Sequence, residues 1–328
     1  MTEVLVLGAT GFLGGHIARA ALRKGWTVHG FRRDPQATGH LQHHPIRWRE
    51  GDLADPASLL SAMAGMDVVF HAAGFYPPDN DPGRTPEYVD RACQEMNHVL
   101  QAAGQSGISR LIYPSSLTTI GLPPADEDRP ADERDVYQPG TLPVNGYYES
   151  KIAMEALALQ AHEQGLEVVI LNPTLIFGPG DVHLSTGEIL LAVAEGKAAA
   201  VPPGWINIID ARDAAEAHVA AVRLGRSGER YILGGENLSI PEAVEVIARL
   251  AGVRPPLFTL PRWAIDSYLW LSDRVPFLPF APFHFQAYRR WQRYNTEKAV
   301  RELNLITRSW EETILDSLNW FDRQGING

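Results

Sequence analysis

The sequence predicts an α/β fold: a doubly wound parallel sheet with a smaller, irregular C-terminal lobe. Three observations predict it. Short apolar runs alternate with helix-patterned stretches through residues 1–173, the pattern of parallel strands joined by crossover helices. The first junction, "VLVLGATGFLGGHIARAAL" at 4–22, places Gly8, Gly11 and Gly14 three residues apart. Beyond residue 173 the alternation loosens and Pro and Gly become frequent, as in "GPGD", "VPPG" and "VPFLPFAPF".

The elements follow in order. "EVLVLGA" (3–9) is an apolar run of the kind a strand buried on both faces shows. "GGHIARAALRKG" (14–25) reads as a helix closed by a glycine. Strands follow at 26–33 and 46–53, then a helix opening at "DPASLLSAM". "MDVVFHAAG" (66–74) is a fourth strand, 87–107 a long helix and "SRLIYPSS" (109–116) a fifth strand. A helix at 146–165 and a strand at 166–173 complete the alternation, with crossovers expected to be right-handed. The reading divides the chain into a dinucleotide-binding unit, 1–173, and a mainly substrate-binding lobe, 174–328, some segments of which return to the main sheet. "PADEDRPADERD" (124–135) reads as a solvated acidic loop.

Composition narrows the function classes. The chain has 328 residues, 45% apolar and 21% charged, which is the profile of an ordinary globule. A formal net charge of −10 argues against nucleic acid and anionic membranes as general partners. Cys93 is the only cysteine, so neither an intramolecular disulfide nor a Cys-based zinc site forms. The sequence shows no basic, apolar signal segment at its start and no uninterrupted apolar stretch long enough to span a membrane. A cytoplasmic location is the expectation.

A glycine-rich turn from strand to helix is the physical form of a dinucleotide site. Backbone amides at the helix start point at the pyrophosphate, and the helix dipole favours its charge. Gly8 permits the tight turn, Gly11 the close approach of phosphate, and Gly14 the packing of helix on strand, which together make the sheet Rossmann-type. Thr10, Phe12 and Leu13 join this cofactor-binding set. The second strand ends in "FRRD". Arg32 and Arg33 suit a 2′-phosphate, so NADP is preferred; Asp34, turned inward, would instead select NAD.

"NGYYESK" (145–151) supplies the reaction chemistry. Tyr147 and Lys151 are four apart and share one helix face. A phenol ordinarily ionises near pH 10, and a neighbouring ammonium lowers that value. Lys151 also donates to the nicotinamide ribose, while Tyr148 is read as pointing elsewhere and packing. Ser115 and Ser116 close the fifth strand, where the ligand crevice of an open α/β sheet lies, and one hydroxyl there holds a substrate oxygen.

Gly8-x-x-Gly11-x-x-Gly14, "GDL" at 51–53, "HAAG" at 71–74, Asn97, "YPSS" at 113–116, Tyr147-x-x-x-Lys151 and "NPTLIFGPGD" at 172–181 together resemble the extended short-chain dehydrogenase/reductases. This NAD-dependent epimerase/dehydratase superfamily is matched over nearly the whole chain, nearest to its dihydroflavonol-4-reductase-like branch. The resemblance implies that Asp52 binds the adenine amine with Leu53 beside the ring. It implies that Ala72, Ala73 and Gly74 line the cofactor, that Pro173 meets the nicotinamide, that Asn97 supports the catalytic geometry, and that Ser116 is the catalytic hydroxyl. A homodimer is a further expectation from the family. One segment departs from the sugar-nucleotide epimerases: "LNPTLIFGP" has Asn172 for their arginine and Leu175 for their asparagine, which puts a diphosphate-sugar substrate in doubt. Arg212 is a candidate replacement cation, or a surface charge.

The reading that follows is an NAD(P)-dependent oxidoreductase moving hydride between nicotinamide C4 and a carbonyl or carbinol carbon of a small, fairly apolar substrate. The alternatives are a nucleoside-diphosphate-sugar epimerase or dehydratase that retains its cofactor, and a non-catalytic dinucleotide sensor. The aromatic-rich stretch 260–294 reads as an apolar lid, a helical subcore or a contact patch. His40, His43 and His44 have no carboxylate at ligand spacing, so no metal is expected. Asp210 and Asp213 are read as capping the helix that follows them.

Overall fold

Four consecutive residues with no exposed surface, Val4–Leu7, set the centre of the molecule. They belong to β1 (Glu3–Leu7), which pairs in parallel with β2 (Thr27–Arg32) on one side and β4 (Val68–His71) on the other. The computed structural model describes residues 2–79, 81–137, 144–182, 184–196, 200–256, 258–272 and 292–326. Its main sheet has seven strands. Beyond β2 lies β3 (Arg47–Glu50); beyond β4 lie β5 (Arg110–Pro114), β6 (Val168–Pro173) and finally β10 (Arg230–Leu233), every pair parallel. The order β10-β6-β5-β4-β1-β2-β3 reverses direction at β1, and such a switch point opens a crevice at the carboxyl ends of the strands. The seventh strand comes from well beyond residue 173.

Helices cover both faces, which is why the strands read as continuous apolar runs. On one face α1 (Phe12–Arg23) packs with α6 (Ala211–Leu224) through Ile17, Ala21, Ala214 and Ala217. On the other, α2 (Pro56–Met63), α3 (Thr85–Ser106) and α4 (Gly146–Glu163) bury Leu59, Met96, Val99 and Met154 against Leu5, Val69 and Ile170. Helix starts follow local chemistry. Asp55 Oδ1 accepts from Ala57 N at 3.0 Å, Asp210 Oδ1 from Arg212 N at 2.7 Å, and Asn145 Oδ1 from Tyr147 N at 3.0 Å.

The second lobe is built on β7 (Leu175–Phe177), β9 (Trp205–Asp210) and β11 (Asn237–Ser239), with β9 parallel to β7 and antiparallel to β11. Phe177 and Ile208 meet Leu190 of α5 (Gly187–Ala194), Ile247 of α7 (Ile240–Ala251) and Trp310 and Ile314 of the C-terminal helix Trp310–Gln324 in a separate apolar core. No helix among the described residues is long and apolar enough to cross a membrane.

The acidic segment 124–135 is exposed over 124–128, as a solvated loop is, but its second half packs inward. Arg129 holds Asp135 through both guanidinium nitrogens at 2.7 Å, and Asp135 is buried. Ala131 is fully buried and bridges to Tyr294. Bidentate pairing neutralises the charge, so a segment that is hydrophilic residue by residue packs inward.

The β1–α1 junction has no spare room. A Cβ on Gly14 would lie 2.1 Å from the carbonyl oxygen of Gly8, which itself sits at φ +85°. Gly14→Ala therefore forces helix and strand apart, and its urea midpoint should fall by the equivalent of about 1–3 kcal/mol; an unchanged midpoint would show that the junction relaxes freely.

Candidate active site

Two adjoining cavities open at the switch point. The larger, about 1030 Å³, runs over the β1–α1 turn. Gly8, Thr10, Gly11 and Phe12 form its floor, Arg32 and Arg33 one end, Asp52 and Leu53 a side, and Ala72, Ala73 and Gly74 the wall after β4. The smaller, about 430 Å³, continues past Leu13, Ser116, Lys151 and Pro173, and Tyr147 lines both. Gly14 lines neither and serves the helix–strand contact instead. A third cavity, about 980 Å³, lies against Trp26, Ala217, Leu305 and Ile306 and holds none of the expected site residues.

The turn is fitted to an anion. α1 begins at Gly11 with no side-chain cap and no acidic residue in its first turn, unlike the side-chain-capped α2, α4 and α6. Its first amides thus lack intrahelical acceptors at the positive end of the dipole. Gly8 sits at φ +85°, Gly11 N–H donates to Gly8 O at 2.9 Å, and a Cβ on Gly8 would lie 2.7 Å from Ala72 O and Ala73 N. A Cβ on Gly11 would meet only Gly8 O, at 3.3 Å, so glycine there leaves room in the cavity it lines. These residues fit a dinucleotide whose pyrophosphate rests on α1.

At the β2 end, Arg32 lies over the Trp48 ring at 4.8 Å and reaches Glu50 at 3.5 Å. Arg33 is largely exposed at the rim, 3.9 Å from Asp52. Asp34 is exposed, and its Oδ1 accepts from Gln36 N at 2.9 Å, so it serves the turn and does not line the cavity.

At the reacting end, α4 presents Tyr147 and Lys151 one turn apart, with Asn145 fixing the helix start. Burial pushes the Tyr147 phenol up, Tyr76 adds to that, and the Ser116 hydroxyl hydrogen-bonded to it pulls the other way. Burial brings the Lys151 ammonium down to about 8, against the favourable charge of Glu155. Ser116 Oγ accepts from Thr118 N at 3.2 Å and remains on the cavity wall. Ser115 Oγ instead donates to Glu155 Oε2 at 2.5 Å, which separates the two serines' tasks. Phenol, ammonium and serine hydroxyl thus converge on one small space, as proton transfer to a bound oxygen requires.

Three expectations need correction. Asn97 is exposed on α3 and lines neither cavity, because the helical period turns it away from the buried face of Met96 and Val99. Tyr148 does not point elsewhere: it lines both cavities, its ring edge-on to Tyr147 at 6.0 Å. Arg212 does not face the substrate space; it is held by Asp210 at 2.6 Å and Asp316 at 2.7 Å. Residues 273–291 of the aromatic-rich stretch lie outside the described residues; of the rest, Trp263 and Trp270 on α8 (Arg262–Ser272) are exposed. Among the described residues no group of three His, Cys, Asp or Glu side chains is arranged to hold a metal.

Sequence reasoning missed Tyr76, whose ring lies 4.8 Å from that of Tyr147, and Asp181, whose carboxylate accepts from Ser185 N at 3.0 Å and Gly187 N at 2.9 Å at the start of α5. Both sit in loops whose course depends on packing. It also missed Glu155, although the i, i+4, i+8 spacing of Tyr147, Lys151 and Glu155 was a readable signal.

Residues 4–234 match the model of the NAD dependent epimerase/dehydratase family. A protein of Synechocystis sp. that bears the provisional name dihydroflavonol 4-reductase is 32% identical, over 98% of this chain and 94% of the relative. Sterol demethylase protein B of Methylococcus capsulatus is 28% identical, over 98% of this chain and 99% of the relative. A crystal structure described as a nucleoside-diphosphate-sugar epimerase from Pseudomonas aeruginosa superposes with a TM-score of 0.85 at 26% identity, covering 100% of this chain and 99% of the other. With the dinucleotide-fitted turn, the parallel sheet and a family match over most of its length, this chain belongs to the NAD dependent epimerase/dehydratase family and is an NAD(P)-dependent enzyme of the extended short-chain dehydrogenase/reductase type.

Proposed function

We propose that this protein is an NADP-dependent reductase or dehydrogenase acting on a small, apolar carbonyl or alcohol through Ser116, Tyr147 and Lys151. One observation carries the substrate class. Among the described residues lining the smaller cavity, Lys151 is the only cation; Leu117, Leu175, Ile176, Ile189 and Trp205 supply apolar wall, and the polar groups beside them, such as Thr118, Thr174, Asn207 and Gln292, are uncharged. A nucleoside diphosphate needs fixed charged partners when desolvated, and Arg212 is already engaged by two carboxylates. The relatives named for dihydroflavonol and sterol chemistry support an apolar substrate.

In this reading the nicotinamide, when bound, supplies hydride in reduction and accepts it in oxidation. Ser116 holds the substrate oxygen. Tyr147 gives its phenolic proton to that oxygen as the carbonyl becomes an alcohol, and takes it back in the reverse direction. The Lys151 ammonium stabilises the phenolate left behind and holds the ribose. Phe12, Tyr76 and Tyr148 narrow access to the phenol. The same groups would serve an epimerase, and the Pseudomonas aeruginosa structure keeps that second reading in view. A sensor without catalysis has no use for a proton donor placed beside a serine and a lysine.

Steady loss of NADPH with hydrophobic ketones supports the reductase. Unchanged NADPH together with interconversion of a sugar nucleotide would replace it with the epimerase. Tyr147→Phe should lower turnover by about 10²–10⁴-fold while dinucleotide affinity, measured by calorimetry, persists; full turnover in the variant would remove Tyr147 from its role. Arg33→Ala should raise KM for NADPH about tenfold and leave KM for NADH unchanged, since a charged hydrogen bond contributes about 1.5–3 kcal/mol; equal effects on both coenzymes would count against 2′-phosphate recognition. For reduction, kcat/KM should be level at neutral pH and fall as pH rises through about 8, where Lys151 loses its proton. A profile flat to strongly alkaline pH would contradict that assignment.

A further inference from the structure

Behind the catalytic face of α4 lies a carboxylate that the reaction as described does not use. Glu155 follows Lys151 by one turn and is buried. Its Oε2 accepts from Ser115 Oγ at 2.5 Å, Thr119 Oγ1 at 2.7 Å and Asn172 Nδ2 at 2.7 Å, and its Oε1 lies 2.9 Å from Arg230 Nε. These partners come from the end of β5, the turn after it, β6 and β10, so one side chain joins α4 to three neighbouring strands and a turn. Asn172 Nδ2 also lies 3.2 Å from the backbone oxygen of Ser116, and Arg230 reaches Thr119 O at 3.0 Å and Glu133 O at 3.2 Å.

A brace of this kind does not require charge. Burying a carboxylate is costly, and apolar side chains of similar volume often replace buried ion pairs without loss of stability. The charge has a use in the neighbouring turn. Lys151 is partly buried on the wall of the smaller cavity, with its Nζ 5.6 Å from the centre of the Tyr113 ring on β5. His71 on β4 is fully buried and kept neutral, its value drawn down to about 3 by burial and by Lys151. Tyr147 on the same helix and Tyr113 are phenols raised by burial; beyond Glu155 lie Arg230, Glu133 and Asp132, and Lys298, which donates to Arg230 O at 2.6 Å and to Glu229 at 2.7 Å. Among these described groups Glu155 is the anion that acts on Lys151.

We propose that Glu155 is a positioning residue for the proton transfer: its buried carboxylate locks the Ser116 segment against α4 and preserves the positive charge of Lys151, with Arg230 setting how much of the carboxylate's field Lys151 feels. This rests on the reductase reading above and deepens it.

The test compares pH profiles of kcat/KM for NADPH-dependent reduction of a hydrophobic ketone in wild type, Glu155→Gln and Arg230→Gln, with dinucleotide affinity measured at neutral pH. Glu155→Gln keeps an oxygen for Ser115, Thr119 and Asn172 but turns an amide NH2 toward Arg230 and removes the charge, and the alkaline limb should move down by about one pH unit, the effect of losing an adjacent unlike charge. Arg230→Gln leaves the carboxylate uncompensated and should move the limb the other way. Opposite shifts support the proposal. Lower rates in both variants with an unmoved limb reduce Glu155 to a structural brace and overturn it. Should Glu155→Gln not fold, Arg230→Gln decides alone, and an unmoved limb there is equally fatal. Failure of the wild type to bind NADPH or reduce any ketone would instead sink the reductase reading, because the comparison of limbs presupposes an active parent.

Discussion

The rest of the molecule depends on how closely β1 approaches the start of α1. A Cβ at Gly14 would lie 2.1 Å from Gly8 O, so the helix can lie this near the strand only because nothing projects between them. That approach aims the uncapped amides of α1 into the crevice at the β1–β4 switch point. It also seats Ile17, Ala18 and Ala21 in the core that α6 completes. One constraint therefore serves both the cofactor turn and the packing of one whole face of the sheet.

The second organising feature is the stripe of Tyr147, Lys151 and Glu155 on α4. Its Tyr147 end lines the smaller cavity, and its Glu155 end is tied to β5, β6 and β10. The cavity-lining side chains and the anchor of the helix thus share one face, which runs from a phenol on the cavity to an ion pair in the core. The fixed end limits how far the phenol can drift from Ser116. Both serines line the smaller cavity, but Ser115 Oγ is engaged by Glu155 whereas Ser116 Oγ accepts from Thr118 N.

Most of the sheet was legible because strands buried on both faces announce themselves as short apolar runs. β1, β4, β5 and β6 all fall within the predicted stretches. The glycine turn and the Tyr147–Lys151 spacing were legible for a similar reason: each is a local pattern whose geometry follows from helix or turn periodicity. Asn97 was misplaced because matching a motif does not specify which face of α3 points inward. The inward packing of Ala131 and Asp135 in the 124–135 segment was not legible, because Asp135 is neutralised by Arg129 and composition does not show pairing.

By itself, then, the sequence determined the layered α/β fold, the glycine-rich turn into α1 and the placing of a phenol and an ammonium on one helix face, all of which rest on residues near one another along the chain. Only the tertiary structure decided that Arg212 is held by Asp210 and Asp316, that Tyr148 faces the cavities, and that Glu155 is joined to Ser115, Asn172 and Arg230. The physical reason is reach. Backbone propensity and periodicity act over a few residues, whereas the partner of a buried charge is chosen by whichever distant segment the fold brings within hydrogen-bond distance.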